Sequence, residues 1–83
     1  MSYANAVREH CRQHYIEPAR LRGDPTVSIR AGDVHTAMGY TCRQPLVCSA
    51  IGAKVFEEQQ RVERISVSGP LNGANTTFTF RLL

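Results

Sequence analysis

The chain has 83 residues, 42% hydrophobic and 20% charged, and a formal net charge of +3. This suits one domain spanning residues 1–83; a second domain, a disordered tail and the deep cleft of most metabolic enzymes are excluded. No apolar run approaches the roughly 18 residues of a membrane span, and Met1-Ser2-Tyr3-Ala4-Asn5 is no signal peptide, so a cytoplasmic protein without membrane contact is expected.

Ser2 is suited to cap a first helix over residues 3 to about 16. Its apolar positions Tyr3, Val7, Cys11 and Tyr15 form an i, i+4 series, with Ala6 and His14 at the margin. Pro18 is expected to end it, and Gly23-Asp24-Pro25 reads as a turn. In Thr26-Val27-Ser28-Ile29-Arg30 the apolar residues alternate with polar ones, which predicts a short strand. A second helix follows over residues 31–38, with Val34, Ala37 and Met38 inward, Asp33 in its first turn and Gly39 beyond its end. After Tyr40-Thr41-Cys42-Arg43, Gln44-Pro45 opens a third helix that runs to about residue 59. Val47, Cys48, Ile51 and Val55 make its inner arc, with Phe56 at the edge, and Gly52 weakens its middle enough for a bend.

The strongest local signal lies at the end of the chain. Residues 62–68 and 76–82 alternate around Asn72-Gly73, the dipeptide of a tight β-hairpin. Centring the turn there sets Val67 opposite Phe78 and Ile65 opposite Phe80. The other face then pairs Ser68 with Thr77, Ser66 with Thr79, and Arg64 with Arg81. The expected class is α+β: three helices, a short strand near residues 26–30 and a C-terminal β-hairpin.

This order resembles the winged helix-turn-helix domain over nearly the whole chain. The resemblance is carried by Ile29-Arg30-Ala31-Gly32-Asp33-Val34-His35-Thr36-Ala37-Met38-Gly39 as second helix, residues 43–54 as recognition helix, and residues 69–75 as wing. The segments Ala-Gly-Asp-Val-His, Pro-Leu-Val-Cys-Ser-Ala and Gly-Ala-Asn-Thr-Thr-Phe-Thr-Phe are also similar to those of short stand-alone prokaryotic proteins of no settled function. The resemblance implies a small double-stranded DNA-binding protein, a transcriptional or accessory regulator, with its third helix in the major groove and its wing on the backbone. By position, Arg43, Gln44, Ser49, Ala53 and Lys54 would face the groove. Ser49, Gly52 and Ala53 are small enough to permit close approach.

Charge argues for weak binding. Residues 1–25 carry +1, residues 26–60 carry zero and residues 61–83 carry +2, so the recognition segment is neutral. Phosphate contacts dominate affinity for DNA; binding is therefore expected to be weak or to need a homodimer. A module that docks on another protein, through helix one or the hairpin edge, is the alternative. Arg64 and Arg81, set opposite each other, would repel unless a phosphate lay between them; splaying into water, or Glu63 screening one of them, explains the pair equally. Asn72 and Asn75 are donors for phosphate or a minor-groove edge, and equally good turn formers.

Other chemistry has less support. Cys11, Cys42 and Cys48 are an odd set without framework spacing, which suggests reduced thiols, although Cys42 and Cys48 bracket the start of helix three as a redox pair would. His10 and His14 are four apart with Cys11 between them, yet no CxxC or carboxylate completes a metal site, and none is expected. Asp33 and His35, two apart on a helix, point to different sides, and no phosphate loop or nucleophile motif is present. Neither an enzyme nor a cofactor is expected.

Overall fold

The structure is a computed structural model that describes residues 3–69 and 73–83. Ser2 and the Asn72 half of the hairpin dipeptide lie outside them. The architecture is α+β: helices α1 (Tyr3–Cys11), α2 (Glu17–Arg22), α3 (Ala31–Ala37), α4 (Gln44–Ile51) and α5 (Lys54–Gln60), with strands β1 (Thr26–Arg30), β2 (Val62–Ser68) and β3 (Thr77–Leu82). The strands form one antiparallel sheet in the order β1-β3-β2. Among the described residues no helix is long and apolar enough to cross a membrane.

The first helical run does not stop at Pro18. A π-helical turn, Arg12–Ile16, joins α1 to α2, and the run ends only at Gly23, whose φ of 76° is the left-handed cap that favours glycine. In an uninterrupted α-helix the Pro18 ring would press on the carbonyl four residues earlier. The wider turn, in which the Glu17 amide donates to the Arg12 carbonyl, relieves that contact. It also inserts one residue into the apolar series. Val7 and Cys11 are buried as the periodicity requires, but Ile16 rather than Tyr15 takes the next core position, followed by Ala19. Burial pushes the Cys11 thiol up to about 12.

The third helix is two helices. Gly52 and Ala53 break it, Ala53 taking an extended backbone (φ −74°, ψ 144°). A methyl group on Gly52 would lie 3.1 Å from the Cys48 carbonyl oxygen and 3.3 Å from the Phe78 ring, so the hairpin packs directly on this break. The interruption resets the helical phase. Phe56, expected at the edge, is wholly buried, and Val55, expected inside, is 37% exposed. In α3 the inner positions are Ala31, Val34 and His35, with Met38 half-buried, while Ala37 is exposed.

Phe56, Phe78 and Phe80 centre the core; Phe56 meets Phe80 edge-on at 5.4 Å between centroids. The hairpin keeps its sequence-derived register for three pairs: Ser68 with Thr77, Val67 with Phe78, and Ser66 with Thr79. A bulge between Ser66 and Arg64 then takes up Ile65, so Arg64 pairs with Phe80, Glu63 with Arg81 and Val62 with Leu82. The expected Ile65–Phe80 and Arg64–Arg81 pairs do not form. As an edge strand, β2 buries only Val62; Ile65 and Val67 remain 44% and 38% exposed.

Two further contacts tie the ends of the chain to the middle. The Ala31 and Gly32 amides, at the open end of α3, donate to the Thr76 and Ala74 carbonyls at 2.8 Å each. Arg20 of α2 donates to the Leu83, Gln60 and Arg61 carbonyls, clamping the last residue onto the α5–β2 junction.

Candidate nucleic-acid interface

Proline at its second position starts α4 well, but Arg43 at the cap offers no side-chain acceptor for the free amides. The acceptor comes from α3. Buried His35 takes the Arg43 amide on Nε2 at 3.0 Å. Its Nδ1 lies 3.3 Å from the Gln44 side-chain amide. Because Nε2 accepts, Nδ1 carries the ring proton in the neutral imidazole, and the Gln44 amide must meet it with its oxygen. His35 therefore caps one helix from another and fixes the turn between α3 and α4.

With its amide held, the Arg43 side chain folds over two tyrosines. Its guanidinium carbon stands 4.5 Å from the Tyr3 ring centroid and 6.0 Å from that of Tyr40, rings that themselves meet edge-on at 5.8 Å. Tyr40 in turn lies edge-on to His35, 6.1 Å away. The guanidinium N–H groups make no hydrogen bond or ion pair among the described residues. Arg43 is exposed, oriented, and has its donors to spare.

The other expected contact residues are distributed differently. Ser49, Ala53 and Arg64 share a groove of about 400 Å³ between α4 and the hairpin, with Cys48, Gly52, Thr76 and Phe78. There Arg64 donates to the Gly52 carbonyl at 3.4 Å, closing the end of α4, and its own amide donates to Glu57 at 3.0 Å. Lys54 is exposed and borders a separate groove with Glu57, Glu58, Arg61 and Glu63. Arg81 is bound to Glu63 at 2.8 Å, the screening partner weighed in the sequence. Since the bulge puts Arg64 opposite Phe80 and Arg81 opposite Glu63, the two arginines frame no phosphate. The Asn75 carboxamide oxygen accepts from Arg30, which also pairs with Asp33 at 2.8 Å; Asn72 lies outside the described residues.

Most cations are similarly occupied. Arg12 pairs with Glu9 and Glu17, Arg22 with Asp24, and Arg8 donates to the Ala50 carbonyl and Asn5. Among the described residues only Arg43, Lys54 and Arg61 have no hydrogen bond or ion pair at their cationic groups. The cysteines are all free, with Cys42 exposed and Cys11 and Cys48 buried.

Sequence reading missed His35, Tyr3 and Tyr40 as parts of this site. One signal for His35 was present. A helix that opens Arg43-Gln44-Pro45, without Ser, Thr, Asp or Asn at its cap, needs an acceptor from elsewhere. Comparison with family models, curated proteins and solved structures gave no match to the chain.

Proposed function

We propose that this is a winged-helix domain that binds double-stranded DNA weakly, with the start of α4 entering the major groove. The observation that carries the reading is Arg43, held on Tyr3 and Tyr40 with its guanidinium donors unspent, at the N-terminal end of the second helix of a helix–turn–helix pair. That end of a recognition helix is where base edges are read, and guanidinium is the usual reader of guanine. The element order and the β1-β3-β2 sheet support the winged-helix assignment. Ser49 and Ala53 allow close approach. Lys54 and Arg61 are the remaining unengaged cations, whereas Gln44, Asn75 and Arg81 already have partners. With so few free cations a single copy binds loosely, and two copies on adjacent half-sites supply the missing affinity. The reading involves no catalytic step.

A salt series with duplex DNA of mixed sequence tests this. With Arg43 on a base edge, two phosphate contacts, by Lys54 and Arg61, give a log–log slope of roughly −1.8. Arg43→Ala is expected to lower affinity and relax sequence preference, by about 1–3 kcal/mol at one base position. If no amide of residues 40–54 shifts when DNA is added at low salt, the proposal fails.

The second reading, a protein-docking module, is favoured by a separate observation. The edge strand β2 exposes Ile65 and Val67, and α4 carries no charged residue. Salt-insensitive binding to a protein, unaffected by Arg43→Ala but lost in Val67→Lys, would establish it in place of DNA binding.

A further inference from the structure

His35 grips both ends of the connection between α3 and α4. Its backbone carbonyl accepts the Tyr40 amide at 3.1 Å, and its ring Nε2 accepts the Arg43 amide at 3.0 Å. Between these two points Cys42 has a φ of 53°, in the left-handed region that a residue with a Cβ occupies only when its surroundings hold it there. The connection is strained, and the Arg43 amide is fastened by one hydrogen bond, to a group that can gain a proton. The ring itself is buried, edge-on to Tyr40, with Nδ1 turned to Gln44.

Nε2 holds the Arg43 amide only while its lone pair is free. A proton taken from water at Nε2 makes the imidazolium, in which both ring nitrogens are donors. An N–H then faces the Arg43 N–H, and the bond is lost. Among the described residues no carboxylate hydrogen-bonds or pairs with the ring to offset the new charge. From α1, Tyr3 reaches this corner, Cys11 lies in the core, and Arg8 and Glu9 are engaged with Ala50, Asn5 and Arg12. From β1, Arg30 is bound to Asp33 and Asn75, and α4 carries no charged residue. The Tyr40 ring that His35 meets carries the Arg43 guanidinium, itself a cation. His10 and His14 lie elsewhere, their rings against each other and Tyr15.

We propose that His35 is the positioning residue of Arg43 and a proton-operated latch on the α3–α4 connection. Neutral, it holds the Arg43 backbone and with it the guanidinium at the start of α4; protonated, it releases both. The consequence for DNA rests on the DNA-binding reading above, and the latch itself does not. Histidine is the side chain that ordinarily changes charge between about pH 8 and pH 5, so the latch opens on acidification. The general effect of acid has the opposite sign, because protonated His10 and His14 add positive charge that favours a polyanion. Acid therefore adds charge to the molecule while loosening Arg43.

The test follows the full chain by ¹⁵N NMR from about pH 8 to about pH 5 without DNA. The coupling transmitted through the hydrogen bond between the Arg43 amide nitrogen and His35 Nε2 is expected to vanish in step with protonation of the His35 ring. The Arg43 amide is expected to lose about fivefold in protection against hydrogen exchange, the worth of one hydrogen bond. A ring that stays neutral until the whole chain unfolds, or one that titrates while the Arg43 amide is unmoved, would overturn the latch. DNA affinity is then compared between the wild type and His35→Gln, which keeps an acceptor and cannot gain the proton. Over the same pH range the wild type is expected to weaken about fivefold relative to the variant; identical pH profiles would overturn the positioning of Arg43. If neither protein binds DNA at any pH, the DNA-binding reading fails, and the ring titration alone decides the latch.

Discussion

His35 shows how a residue with no motif around it organises the α3–α4 corner. Removing its ring leaves the Arg43 amide and the Gln44 side chain without their partner in a partly buried place. An unsatisfied group there costs about 1–3 kcal/mol. His35→Ala is therefore expected to lower stability by that amount in urea denaturation, and His35→Gln, which keeps an acceptor, to recover part of it. Equal losses in both variants would mean that ring volume rather than the hydrogen bond matters. The same scale shows where reading by position runs out. Arg43 was selected by the position the winged-helix resemblance gives it, and its side chain is exposed. Arg64 and Arg81 were placed as a facing pair because strict alternation was assumed, and one bulged residue separates them. Charge and spacing were legible; which arginine already had a partner was not, because the partners are backbone carbonyls and carboxylates from other elements.

At the scale of elements, the strand and hairpin were legible because a period of two is short and each mispairing is conspicuous. The helices were legible in place but not in length, continuity or phase. A regular period of 3.6 was carried through Arg12–Ile16 and through Gly52, and at both places the backbone departs from it. Tyr15 and Val55 were consequently given the core places of Ile16 and Phe56. One break answers to a local demand, the Pro18 ring, and the other to a tertiary one, the hairpin packed on Gly52. The junction of α3 with the arm leading into β3 is also tight. A methyl group on Gly32 would lie 2.5 Å from the Ala74 carbonyl oxygen, a backbone atom that cannot swing away. Gly32→Ala is expected to destabilise the domain by about 1–3 kcal/mol, measurable as a lower thermal midpoint. An unchanged midpoint would mean that the 73–76 turn moves freely away from α3.

For the molecule as a whole, a net charge of +3 proved less informative than the way its cations are spent. Among the described residues seven of the ten are drawn into hydrogen bonds or ion pairs with the protein itself, leaving the cationic groups of Arg43, Lys54 and Arg61 without one. A count made along the sequence could not separate arginines that hold the fold together from those available to a polyanion. The Arg20 clamp belongs to the first kind, and it has a kinetic consequence. Its acceptors, Gln60, Arg61 and Leu83, stand 40, 41 and 63 residues away along the chain, so it closes only after the sheet and α5 are in place. Contacts absent from the folding transition state govern how fast a protein opens rather than how fast it folds. Arg20→Ala is accordingly expected to speed unfolding a few-fold in stopped-flow urea jumps while leaving the folding limb unchanged; slower folding would place the clamp in the nucleus. On that expectation, the segment just after β3 is the last piece fastened to the α5–β2 junction and the first released.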